Sequence, residues 1–269
     1  MSAEGQPAAK GLRVEDRDRV RLLRLDRPEA LNAFNDDLYD AVRDALREAA
    51  CDPQIAVALV TGAGRAFSAG QDLTEMGHPR PHDDGRPHGF GPFIESVEAF
   101  PKPLVAAVNG LGVGIGLTLL LHCDLVLIDE RARLRAPFTS LGVTAEAGST
   151  QLLPDRVGWQ TAARWLYTAA WIDASEVLES GLACRVCPPG SVLDEARAVA
   201  TEIAQMPIES LVATKELLLA ARLDAIRAAR ARENAAFARL VGGPANREAL
   251  AAFREHRSPD FTRLRERSG

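Results

Sequence analysis

The chain has 269 residues, of which 46% are hydrophobic and 26% charged, with a formal net charge of -5. That length and apolar content suffice to bury a sizeable core. Charges of both signs are interspersed, without the basic stripe that nucleic acid or an anionic membrane surface requires, so neither partner is expected.

The opening segment, MSAEGQPAAKG, has no apolar centre and no cleavage pattern, so it reads as a frayed tail rather than a signal peptide, and a cytoplasmic location is expected. Val20 to Leu25 alternates like a strand that ends at Asp26-Arg27-Pro28. Asn35 is placed to cap a helix whose apolar face is Leu38, Ala41, Val42, Ala45 and Leu46, and Asp52-Pro53 stops it. Ile55 to Thr61 is apolar and β-branched, the pattern of a strand buried on both faces. The small residues Ser68, Ala69 and Gly70 then make a loop whose backbone can approach a ligand closely.

Gly77 to Pro92 is rich in glycine and proline and holds three of the five histidines, His78, His82 and His88. With Asp83 and Asp84 it invites a metal reading, but the spacing is not that of zinc ligands on a rigid element. A surface loop, with a lid as its functional version, is the better expectation, and no metal site is expected.

Pro103 to Asp124 reads as a strand (Leu104 to Val108), an Asn-Gly turn, a loop with Gly110, Gly112, Gly114 and Gly116, and an apolar helix. That order aims free backbone N–H groups at one point where negative charge can be held. Asn109 and the glycines argue against a membrane span in this stretch. Leu125 to Asp129 and Ala132 to Ala136 read as strands. Pro137 to Gly148 is irregular, with Phe138 and Leu141 as apolar anchors and Glu146 as its single acid. Helices are expected over Leu152 to Ala170 and Ala174 to Ser180, the second started by Asp173 with Glu176 and stopped by Gly181. The four cysteines, Cys51, Cys123, Cys184 and Cys187, are too scattered for a disulfide framework, and Cys184 to Cys187 reads as a strand end rather than a redox or metal pair. Beyond Val192 only helices are expected: Leu193 to Gln205, Glu209 to Arg222, Leu223 to Val241, and a last one capped by Asn246. Their apolar positions, among them Leu211, Leu217, Leu218, Ile226, Phe237 and Leu240, suit a core or a subunit interface.

Four segments, in order, strongly resemble the crotonase (enoyl-CoA hydratase/isomerase) superfamily over about residues 14 to 265: Arg27 to Phe34, Thr61 to Asp72, Lys102-Pro103 leading to Asn109-Gly110, and Cys123-Asp124. The resemblance implies an α/β fold, a crotonase-like spiral of ββα units followed by a C-terminal helical trimerisation region. It divides the chain into a tail (1–13), a spiral core (14–195) and a helical oligomerisation region (196–269). It implies an acyl-CoA thioester as substrate, with coenzyme A part of that substrate and no separate cofactor, and a homotrimer or dimer of trimers. An oxyanion hole of two backbone N–H groups is implied, by position those of Ala69 and Ile115.

The two glutamates of the family's hydratases fall here at Thr118 and Phe138, neither of which moves protons as a carboxylate does. Glu146 instead matches the single catalytic glutamate of the peroxisomal-type enoyl-CoA isomerases, and Pro137-Phe138 and the large residue at Ile115 are also like that group. The implied activity is transfer of a double bond from 3-enoyl-CoA to trans-2-enoyl-CoA, with one glutamate as base and acid. A 2-enoyl-CoA hydratase, an oxepin-CoA type isomerase, and a non-catalytic acyl-CoA-binding homologue are the alternatives. Gly114, Thr118, Phe138 and Leu141 are implied to line the substrate pocket, and Ala30, Arg65, Ala66, Gln71 and Lys102 to contact coenzyme A. Asp72 reads as a cap or salt-bridge partner, His122 and Cys123 as core, and Phe253 and Phe261 as residues lining a neighbour's pocket.

Overall fold

The computed structural model describes residues 11–74 and 85–262. His78, His82, Asp83 and Asp84 lie outside the described residues. Among the described residues, ten strands form two sheets. The first runs in the order β1 (Leu12–Arg17), β2 (Val20–Leu25), β3 (Val57–Gly62), β5 (Leu104–Val108), β7 (Leu125–Asp129) and β10 (Arg185–Cys187). The second runs β4 (Ala66–Ser68), β6 (Leu111–Val113), β8 (Arg133–Arg135) and β9 (Ile172–Asp173). Only the outer pairs β1–β2 and β8–β9 are antiparallel. In the parallel stack, Val60 pairs with Ala106 and Ala106 with Val126, which explains the unbroken apolar runs of these strands.

Helices follow each excursion. Asn35 caps α1 (Asp36–Cys51) by accepting the Leu38 N–H at 3.0 Å, and Leu38, Tyr39, Val42, Ala45, Leu46 and Ala49 are its buried face. After β3 and β4 comes α2 (Phe90–Glu98), after β5 and β6 comes α3 (Ile115–Thr118), and after β7 and β8 comes α4 (Ser149–Val157). Each turn of the chain thus lays one strand in each sheet and then a helix, a spiral of ββα units. The corners close tightly: a Cβ on Gly110 would lie 2.1 Å from the Arg65 carbonyl oxygen, so only glycine lets β5 turn into β6 there.

Several expected boundaries shift. Leu12 and Arg13, expected in the tail, are already paired in β1. The histidine-rich loop ends earlier than expected, because Phe93 and Ile94 bury one face of α2. His88 Nδ1 lies against a carboxylate oxygen of Asp40 in α1. The apolar helix expected after the glycine loop is a single α turn that tightens into a 3-10 turn over Leu119–His122. The helix expected from Leu152 to Ala170 is two, α4 and α5 (Trp159–Thr168), broken at Gly158, whose φ is 79°. In α6 (Ala174–Glu179) Asp173 accepts the Glu176 N–H at 2.9 Å as expected.

The C-terminal region is α7 (Val192–Ala204), α8 (Ile208–Ala220), α9 (Leu223–Leu240) and α10 (Pro244–Arg254). The expected division at 195/196 falls inside α7, whose Ala196, Ala200 and Ala204 are buried with Val57, Leu59, Val105 and Leu127 of the first sheet. Helix α7 therefore packs on the first sheet. Asn246 lies in the first turn of α10 rather than at its cap, and its side chain accepts the Gly242 N–H at 2.9 Å. Leu217 and Leu218 are 76% and 66% exposed in the single chain, which removes the core half of their expectation.

Candidate active site

Glu146 and Thr118 come together. The Thr118 hydroxyl, on fully buried α3, donates to Glu146 Oε1 at 2.5 Å, which leaves Oε2 for another partner. Burial raises the Glu146 carboxyl to about 8. The Thr118 bond pulls it down, and the negative charge of Glu233 pushes it up. As a residue Glu146 is half-buried, with its carboxyl desolvated. Phe138 is buried nearby in sequence and Leu141 half-buried, in the segment leading to Glu146.

The turn carrying Glu146 is unusual. Ala147 has φ 62° and Gly148 φ 71°, two successive left-handed residues. The Ser149 hydroxyl donates to the Glu146 carbonyl at 2.5 Å, and His122 Nε2 lies 2.8 Å from the Ala147 carbonyl as its donor. Burial lowers His122 to about 4, so it is a neutral strap and not an acid at neutral pH.

The two close-approach loops meet. A Cβ on Gly70, whose φ is 96°, would lie 2.7 Å from the Val113 carbonyl oxygen and 3.8 Å from Gly114 Cα. Ile115 is the first residue of α3, so its N–H has no intrahelical acceptor. Ala69 is corrected: its N–H donates to the Leu31 carbonyl at 2.9 Å and is not free for an oxyanion. Two residues on, Gln71 sits in a parallel bridge with Phe34 in which Phe34 N–H donates to Gly70 and Asp72 N–H to Phe34. That alternation turns the Gln71 N–H away from Phe34, and it has no hydrogen-bond partner among the described residues.

The expected coenzyme A contacts separate into two groups. Ala30 and Arg65 lie on loops that Asn32 ties together, its amide donating to the carbonyls of Ala63 at 2.9 Å and Ala66 at 2.8 Å, and Arg65 is exposed. Ala66 itself is buried in β4, with a carbonyl that also accepts from Asn109 at 3.2 Å. Lys102 is corrected: it is 3% exposed, and its ammonium donates to the Ala49 and Asp52 carbonyls at 2.6 and 2.7 Å, closing the end of α1. The Gln71 side chain also faces inward, its Oε1 accepting from the buried Tyr39 hydroxyl at 2.9 Å. Asp72 pairs with Arg27 at 3.1 Å, as a salt-bridge partner should.

Two residues, Tyr39 and Glu233, and one contact, that of Asn246, escaped the sequence reading. Tyr39 is buried, and burial first and the charge of Glu146 second raise its pKa well above the ordinary value, keeping it a neutral donor. A buried aromatic hydroxyl on the α1 face needs a partner, and that was the signal. Glu233 of α9 is 3% exposed and sits at helical spacing with Ile226, Ala229 and Phe237, an acid in an apolar stripe. Asn246 donates to the Leu141 carbonyl at 2.9 Å, and nothing in the sequence foretold that contact. Among the described residues no group of three or more His, Cys, Asp or Glu is placed to hold a metal, and all four cysteines are free.

The sequence model of the enoyl-CoA hydratase/isomerase family matches residues 15–264. The chain belongs to that family. Its relatives include the 2,3-dehydroadipyl-CoA hydratase of Escherichia coli, 36% identical over 92% of this chain and 97% of that protein. The 1,2-epoxyphenylacetyl-CoA isomerase of the same bacterium is 33% identical over 90% and 95%. A solved enoyl-CoA hydratase/isomerase from Pseudoalteromonas atlantica superposes with a TM-score of 0.89 at 35% identity, covering 93% of this chain and 99% of that one. The spiral of ββα units is therefore a crotonase fold, and the chain is an enzyme of the crotonase superfamily.

Proposed function

We propose that this crotonase is an enoyl-CoA isomerase that moves the double bond of a 3-enoyl-CoA to trans-2-enoyl-CoA, with Glu146 as its one acid and base. The observation that carries the proposal is the Thr118–Glu146 pair: one carboxyl, tuned to about 8, whose neighbour is a hydroxyl rather than a second acid. The thioester oxygen is held by the N–H groups of Ile115 and, in place of Ala69, of Gln71. Each such donor contributes roughly 2.7–4 kcal/mol in the transition state. Ionised Glu146 takes a proton from carbon 2, and the electron pair spreads through carbon 3 to carbon 4 and onto the thioester oxygen as a dienolate. Glu146 then returns the proton at carbon 4, leaving the double bond between carbons 2 and 3. A raised pKa suits this task, because the carboxylate is a stronger base and its acid form survives long enough to give the proton back.

Pocket positions Gly114, Phe138 and Leu141 shape the acyl site in this reading, and Ala30 and Arg65 meet coenzyme A. The relative named as an isomerase supports rearrangement without water. The relative named as a hydratase favours a second reading, hydration of a 2-enoyl-CoA, against which stands the absence of a carboxylate at Thr118 and Phe138. We also propose a homotrimer or dimer of trimers, supported by exposed Leu217, Leu218 and Phe253 on the helical region. Among the described residues no helix is long and apolar enough to cross a membrane. A cytoplasmic location remains part of the proposal.

The test incubates the protein with 3-hexenoyl-CoA and follows the 2-enoyl absorbance. Glu146→Gln is expected to lower the rate roughly 10²–10⁴-fold with an unchanged circular dichroism spectrum. Full activity in that variant overturns the assignment. Faster loss of absorbance from 2-hexenoyl-CoA than gain from 3-hexenoyl-CoA identifies a hydratase instead.

A further inference from the structure

We propose that Glu233 is a positioning residue: from α9 its buried carboxylate fixes the turn that carries Glu146, making the C-terminal helices part of the reacting site's framework. The inference rests on the reading of Glu146 as acid and base. Glu233 Oε2 accepts the Gly148 N–H at 2.6 Å, and Oε1 accepts the Thr150 N–H at 2.8 Å and the Thr150 hydroxyl at 2.6 Å. These donors follow the left-handed Ala147 and Gly148, a backbone that persists only when its surroundings over-determine it. Without Glu233, Gly148 keeps a buried donor without an acceptor and Thr150 loses its partner, and relaxation of Ala147 swings the Cβ of its neighbour Glu146. A carboxylate is the side chain that offers two oxygens and no donor to such a set. The same helix is independently anchored one turn earlier, where Arg230 binds Glu98 at 2.9 Å.

Glu233 also carries charge toward Glu146. The titratable groups around Glu146 are Tyr39 of α1, His122 beneath α3 and Glu233 of α9. Tyr39 and His122 stay neutral near pH 7, so Glu233 is the group among them whose removal alters the field there.

The experiment measures kcat and KM for 3-hexenoyl-CoA from pH 5.5 to 9.5 in Glu233→Gln, Glu233→Asp and, as a control on the same helix, Arg230→Gln. In Glu233→Gln, kcat is expected to fall roughly ten- to hundredfold with KM within about twofold, because a displaced base harms chemistry before binding. The rising limb of kcat/KM moves to lower pH in that variant, since a negative neighbour is gone. Glu233→Asp loses kcat by reach while its limb stays, and Arg230→Gln moves neither. Should Glu233→Gln not fold, Thr150→Val removes one donor, and kcat is expected to fall several-fold. An unmoved limb with unmoved kcat in Glu233→Gln, a loss matched by Arg230→Gln, or an unchanged kcat in Thr150→Val overturns the inference. Full activity of Glu146→Gln fails the functional reading instead, whatever Glu233 does.

Discussion

The Thr118 hydroxyl moderates the rise that burial imposes on the Glu146 carboxyl. It stabilises the ionised carboxylate, so its removal raises the carboxyl further above the value of about 8. The kcat/KM profile of the wild type is expected to rise with pH through a limb near 8, and in Thr118→Val that limb lies at higher pH. A limb that stays in place or moves down would remove Thr118 from the proton-transfer step. Stability carries the same sign. Between the unfolded value of about 4.5 and the folded value of about 8 the native state holds the extra proton, so the carboxyl lowers stability as pH rises through that window. Above pH 8 the cost is fully present, at roughly 3–5 kcal/mol. Glu146→Gln is therefore expected to melt several degrees above the wild type at pH 9 and level with it at pH 4.5, as read by thermal unfolding at both pH values.

At the scale of elements, the meeting of two loops matters more than either loop. Gly70→Ala puts a methyl 2.7 Å from the Val113 oxygen at a φ of 96°, which forces the β4 loop away from α3. With the Ile115 and Gln71 amides parted, kcat/KM is expected to fall roughly hundredfold, and an enzyme that keeps its rate would show that the two loops need not abut. Both loops were legible in the sequence, because glycines between a strand and an apolar helix have few other uses. What was not legible was which amide is free. Ala69 and Gln71 lie two apart, and only the pairing with Leu31 and Phe34 shows that the first is spent and the second is not. Lys102 misled for a related reason: a lysine beside a motif reads as a phosphate ligand until the open carbonyls at the end of α1 are seen to claim it. The strands of the first sheet were legible from burial on both faces, whereas β4 and β6, three residues each, carry too little pattern to be read.

In the whole molecule the helical tail and the spiral are one machine. Glu233 and Asn246, from two C-terminal helices, hold the segment from Leu141 to Thr150 on both sides of Glu146. Leu217 and Phe253 are exposed, so the same helices also keep an outward apolar face, the one on which the proposed trimer would form. The amides of Gln71 and Ile115, proposed to hold the thioester oxygen, have a further consequence for inheritance. A peptide hydrogen belongs to the chain and not to a side chain, so nearly every codon change at positions 71 and 115 leaves it in place, proline being the exception. Drift can therefore rewrite the acids around the thioester, trading Thr118 for a carboxylate or Glu146 for another base, while the cradle beneath is passed on unaltered.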